Sequence, residues 1–189
     1  MAALDFFEAP GRSAANDALS TAEVALAPDH VRHASPGSRI DRGKYRARTW
    51  VTRQGVFVDR IASAWLIRRF IDPDARFRFV TSEAYKPTPN ELRFDMFEGE
   101  FTHEGDRCTF EVLIDRFMPN DPALQAIAEV VHDIDLKDGK FGRDDTPGIE
   151  RVLGGIASAH SDDAARVERA RQLFDELHAV FSRETGAAT

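Results

Sequence analysis

Cysteine is almost absent from this 189-residue chain, Cys108 standing alone. That excludes an intramolecular disulfide, a CxxC redox pair and a four-cysteine zinc module. No apolar run approaches the roughly 18 residues that would mark a membrane span. Met1 to Pro10 has neither the basic nor the apolar stretch of a secretory signal. The expectation is a cytoplasmic protein in a reducing compartment, with no membrane partner. Basic charge is in deficit as well, 25 Lys+Arg facing 32 Asp+Glu for a net charge of -7. Such a balance does not suit a protein whose main task is to neutralise phosphates, so nucleic acid is a disfavoured partner. Phosphate-cradling GxGxxG and GxxxxGK[ST] loops, a GxSxG nucleophile elbow and an HExxH zinc helix are all missing.

What is present divides in two. Residues 1–43 are rich in Ala, Ser, Pro, Asp and Arg, with apolar residues only in short groups. This composition buries little and reads as a mobile arm. From Lys44 to Arg183 the patterning is that of one folded domain, followed by a tail at 184–189. Tyr45 to Thr52 reads as a strand, and Arg46 and Arg48 on it belong to a local basic stretch. Val58 to Phe70 repeats apolar residues at helical spacing and is closed by Pro73. Phe77 and Phe79 alternate along a second strand. Phe94 to Thr102 and Cys108 to Ile114 read as the two arms of a hairpin around Gly105 and Asp106. Asp121 before Pro122 caps a helix to about 135. Lys137 to Pro147 is a loop, Gly148 to Ala159 a short helix, and Ser161, Asp162 and Asp163 introduce a last helix through Val167, Ala170, Phe174, Leu177 and Phe181. The expected fold is α+β: a mostly antiparallel sheet covered by about four helices.

Three groups of residues could carry chemistry. His132 and Asp135, three apart on one helix, project from neighbouring positions as metal ligands do in helical bundles, with Asp133 free to orient the imidazole. The alternative is a helix-ending histidine favoured by the negative end of the macrodipole, with Asp135 and Asp138 solvated. In the expected hairpin His103 opposes Cys108, about 5 Å apart at Cβ, as metal ligands or as a thiol activated by imidazolium; a buried, inert cysteine is the other reading. Glu111 falls on the opposite face of an ideal strand. Asp59 and Arg60 open the first helix, and Arg60 and Arg68 lie about 80° apart around it. Both arginines could border one cleft that takes an anion through their guanidinium forks, or Arg68 could simply snorkel over apolar neighbours.

Taken together, Thr49-Trp50-Val51-Thr52-Arg53, the run from Val58-Asp59-Arg60-Ile61-Ala62-Ser63-Ala64-Trp65 through Leu66-Ile67-Arg68-Arg69-Phe70-Ile71-Asp72-Pro73, Phe101-Thr102-His103, Cys108-Thr109-Phe110-Glu111 and Val131-His132-Asp133-Ile134-Asp135 resemble the C-terminal domain of the ChrB chromate resistance family. The resemblance runs from about Tyr45 to Phe181. It implies a role in responding to chromate and draws Asp59, Arg60, His103, Cys108, Glu111, His132 and Asp135 into one shared site. In that family the domain often follows an N-terminal domain implicated in controlling transcription, whereas only a short arm precedes it here. The leading expectation is a chromate-response domain that binds a metal or an oxyanion. A metal-dependent enzyme acting on a small substrate and a DNA-binding regulator are the alternatives. Metal ligands are expected to be His103, Glu111, His132 and Asp135, around a divalent Fe, Mn or Zn ion. Asp59, Arg60 and Cys108 are catalytic candidates, Arg60 and Arg68 would hold chromate or another small anion, and a homo-oligomer is compatible with all of this.

Overall fold

The computed structural model describes residues 42–81, 85–118 and 120–186. Every described residue belongs to one compact unit. The expected arm at 1–43 lies outside the described residues apart from Arg42 and Gly43. In chain order the elements are β1 (Thr49–Arg53), α1 (Val58–Leu66), β2 (Arg76–Val80), β3 (Glu91–Arg93), α2 (Thr109–Phe117), α3 (Pro122–Leu136), α4 (Thr146–Ala159) and α5 (Asp163–Gly186). A short 3₁₀ turn, Arg42–Tyr45, precedes them. Among the described residues no helix is long and apolar enough to cross a membrane.

The sheet corrects the antiparallel expectation. Its order is β2-β1-β3 and both pairings are parallel, Thr49 opposite Arg76 on one side and opposite Glu91 on the other. The reason lies in α1. A helical crossover between β1 and β2 returns the chain to the end of the sheet where it began, so the second strand must run parallel to the first. Central β1 buries Trp50, Val51 and Thr52 completely, as a strand covered on both faces should. It starts four residues later than its composition implies. Ala47 takes a left-handed φ of 54°, and the backbone N–H groups of Ala47 and Arg48 donate to the Asp72 carboxylate rather than to a neighbouring strand.

That carboxylate, fully buried, also accepts from the Trp50 indole at 3.0 Å. It is delivered by an irregularity: beyond Leu66 the first helix widens into a π turn, Ile67–Ile71, and the Asp72 N–H bonds Ile67 O at 2.7 Å. Every residue of α1 is buried. Trp65 stacks on Phe174 of α5 with ring centroids 5.5 Å apart, and its indole N–H donates to Asp175 at 2.8 Å. The last helix buries Val167, Ala170, Phe174 and Phe181, the stripe its spacing predicts.

The expected hairpin is the second correction. Its turn exists: Glu104 and Arg107 exchange two backbone hydrogen bonds of 3.1 Å around Gly105, whose φ is +64°. The chain beyond it does not return as a strand. Cys108 is the N-cap of α2, and Phe110, Leu113, Ile114 and Phe117 bury one face of that helix. The Cys-x-x-Glu run supplies the reason. Glu111 at the third helical position reaches back to the Cys108 N–H at 2.8 Å, the reciprocal cap that starts helices. The expected first arm, Phe94–Thr102, is no strand either: it folds back on itself, with Phe94 and Phe101 joined by an isolated bridge.

Candidate metal centre

The N-terminus of α2 is the point to which the acidic and imidazole side chains converge. The first N–H groups of a helix have no partner inside it, and here two carboxylates take them. Glu111 accepts from Cys108, and Asp59, in the first turn of α1 and 2% exposed, accepts from Thr109 at 3.1 Å and Phe110 at 2.8 Å. Asp59 thus ties the start of one helix to the start of another.

On the outer side of Asp59 lies His103. Its Nε2 atom faces Asp59 Oδ2 at 3.3 Å, Asp95 Oδ1 at 3.4 Å and Asp135 Oδ2 at 3.6 Å. One ring nitrogen can donate to one acceptor at a time, and these separations exceed the ordinary 2.7–3.2 Å of N–H···O bonds. Metal bonds of about 2.0–2.2 Å set neighbouring donors of a tetrahedral ion roughly 3.3–3.6 Å apart. Asp59, Asp95 and His103 each place a ligand atom within 4.8 Å of the others. Asp95 is buried with a left-handed φ of 46°, and its other oxygen receives the Arg60 Nε–H at 2.6 Å. The Thr109 hydroxyl donates to Asp95 Oδ1 at 3.4 Å. Burial works against charge on both partners and is overcome on both. His103 is held up at about 9 by the Asp59 hydrogen bond and the charges of Asp59, Asp95 and Asp135. The Asp95 carboxyl is held below its usual range by Arg60, His103 and Arg53.

On the inner side of Glu111 lies His132, fully buried on α3. Its Nδ1 is 2.7 Å from Glu111 Oε2 and its Nε2 3.2 Å from Asp138 Oδ2. Phe141 packs edge-on against the ring, centroids 5.0 Å apart. The loop bearing Asp138 and Phe141 is folded back by Asp133, whose carboxylate accepts from Phe141 N at 3.1 Å and Gly142 N at 2.7 Å. Lys140 pairs with Asp106 at 2.8 Å.

Comparison with known proteins agrees with this arrangement of motifs. The family described as ChrB, C-terminal domain, matches residues 50–181, which takes in every side chain of both clusters. The chain belongs to this ChrB family. Protein ChrB of Cupriavidus metallidurans is 36% identical over 187 residues, 95% of this chain. The chain spans 56% of that relative's length, just over half. No solved structure matches it.

Within this ChrB-family domain the expected residues fall into two groups rather than one. His103 and Asp135 meet at one cluster, where Asp59 joins them, and Glu111 and His132 meet at the other. His132 and Asp135, neighbours on one helix, serve different clusters. Arg60 supports the first cluster through Asp95, while Arg68 pairs with Glu168 at 3.4 Å and lies over the Phe77 ring at 4.8 Å. It borders a surface groove of about 240 Å³ with Arg69, Arg171 and Asp175. Cys108 is fully buried, its thiol pushed well up by burial and by the charges of Asp59, Glu111 and Asp135. Its backbone N–H, at the helix cap, donates to Glu111, which leaves the expectation of a reactive thiol opposite His103 without support. Asp95 was missed. It is one of four acids between Glu91 and Glu100, and its sequence position carries no periodic signal; only the tolerance of Asp for left-handed backbone hints at it.

Proposed function

We propose that this domain serves chromate resistance as a metal-binding protein, with a divalent first-row cation held by His103, Asp59, Asp95 and Asp135. The observation that carries this reading is the set of three carboxylate oxygens around one imidazole nitrogen. One nitrogen and several oxygen donors suit Mn(II), Fe(II) or Zn(II), ions that accept imidazole and carboxylate together. The same set opposes direct oxyanion binding, because a chromate dianion entering metal-free protein meets three carboxylates at close range, while the cations beside them, Arg60, His103 and Arg53, already act on Asp95. Chromate therefore requires the cation in place before it binds here.

Calorimetric titration of metal-free protein tests this. Mn(II), Fe(II) or Zn(II) is expected to bind wild type, and Asp135→Asn to lose at least about tenfold in affinity while keeping its circular dichroism. Asp135 is the variant of choice because it caps no helix. Unchanged binding by Asp135→Asn, or chromate binding equally to apo and loaded protein, overturns the reading.

A further inference from the structure

We propose that the inner cluster is a second, independent divalent-cation site, held by Nε2 of His132 and the carboxylates of Asp138 and Asp133. It stands apart from the proposed centre at His103 and does not rest on it. Glu111 sets the tautomer of His132. Its Oε2 atom accepts the Cys108 N–H at 2.8 Å and lies 2.7 Å from His132 Nδ1. An oxygen already serving the helix cap can hold the imidazole only by accepting again, so the Nδ1 position carries the hydrogen. This is the arrangement found behind metal-bound histidines, in which the far ring nitrogen donates to a carboxylate and the near one is presented as a lone pair.

That near nitrogen is not presented to a donor. Nε2 of His132 faces Asp138 Oδ2 at 3.2 Å, an acceptor opposite an acceptor, and such a pair is stable only with a positive centre between them. A proton would do, and so would a metal ion; two further observations favour the ion. Asp133 brings a third ligand atom, all three lying within 4.8 Å of one another. The Asp138 side chain is 46% exposed while His132 is completely buried, so the site has a sealed inner wall and an outer ligand open to water, an entry path for an ion. The cation nearest to hand, Lys140, is paired with Asp106 and hydrogen-bonds Asp138 only through its backbone N–H. With one nitrogen and two oxygens the ligand class is a borderline divalent ion such as Zn(II) or Mn(II).

Metal-free full-length protein titrated with Zn(II) separates the two sites. Wild type is expected to take up two equivalents, Asp138→Asn one and Asp135→Asn one. Asp138 lies on an exposed loop, and asparagine keeps the bond from Lys140 N, so the fold survives the change. With the His103 centre disabled by Asp135→Asn, substoichiometric Mn(II) is expected to broaden the His132 and Phe141 ring resonances and to spare them once Asp138→Asn is added. One equivalent that Asp138→Asn loses and Asp135→Asn keeps supports this site and overturns the centre at His103. One equivalent that Asp138→Asn keeps overturns this site alone, and no uptake by wild type overturns both. His132 signals untouched by Mn(II) mean that a proton bridges the pair, and the proposal falls.

Discussion

Two imidazoles flank the start of one helix, and the chain treats them in opposite ways. His103 sits on a loop and receives carboxylates from three distant places: Asp59 on α1, Asp95 after β3 and Asp135 on α3. His132 sits on a helix, and two of the three carboxylates around it, Asp133 and Asp138, lie within six residues of it, with Glu111 the exception. The first cluster exists only when the whole domain is assembled. The second is largely written into one stretch of chain, from α3 into the loop after it. Tertiary stability is therefore bound up with the His103 cluster to a degree that the His132 cluster does not share.

Removing Asp59 is the harshest way to break that asymmetry. Asp59→Ala strands two helix N–H groups in the interior and uncouples α1 from α2, with an expected loss of about 3 to 5 kcal/mol, measured by urea unfolding. Asp138→Asn in the same assay is expected to leave the unfolding midpoint nearly unchanged. Equal losses would erase the distinction between the clusters.

Next in size is an effect of pH. His103 in the folded, metal-free protein holds its proton to about 9, against 6.5 when unfolded. Its contribution to stability is complete below about pH 6.5 and is lost as pH rises through about 9, a decline on the order of 1 to 3 kcal/mol. Melting of apo protein across that window is expected to show it, and His103→Gln to flatten it. A wild-type profile that rises towards pH 9 contradicts the assigned surroundings of His103.

Arg60→Lys sharpens the comparison further. Lysine keeps the charge beside Asp95 but loses the guanidinium geometry that aims the carboxylate, so affinity at the His103 centre is expected to fall about tenfold, with the His132 site unchanged. The smallest expected effect is none at all. Cys108 lies between the clusters, and its thiol is expected to resist alkylation in native protein, with or without metal or chromate, and to react only in denaturant. Rapid native labelling would place it back among the reactive groups.

Much of the helical content was legible in the sequence, because an apolar stripe with a cap is a local signal. The α3 run from Asp121 and Pro122, and the spacing of Val167, Ala170, Phe174 and Phe181, predict helices that the structure contains. Strand direction was not legible, since parallel pairing is decided by the connection and not by the strand's own residues. The Cys108–Ile114 segment was misread because its β-branched and apolar residues fit either period, although Glu111 three places after Cys108 carried the helix signal. Likewise His103, Glu111, His132 and Asp135 were recognisable as chemistry-bearing residues, but their division into two clusters was not. That division follows from the fold: Glu111 belongs to a helix rather than a strand, and Asp95 arrives from a loop without pattern.

The widened turn at Ile67–Ile71 gives the number of residues in the first helix a meaning of its own. A residue advances an α-helix by about 100°, so shortening this segment by one would make the helix more regular and swing Asp72 away from Ala47, Arg48 and Trp50, which share its carboxylate. Length here behaves as a reading frame. A single deletion between Ile67 and Ile71 would disconnect the sheet from its helix. A deletion in the extended segment Lys86–Thr88, where all three residues are exposed, would move nothing of comparable consequence.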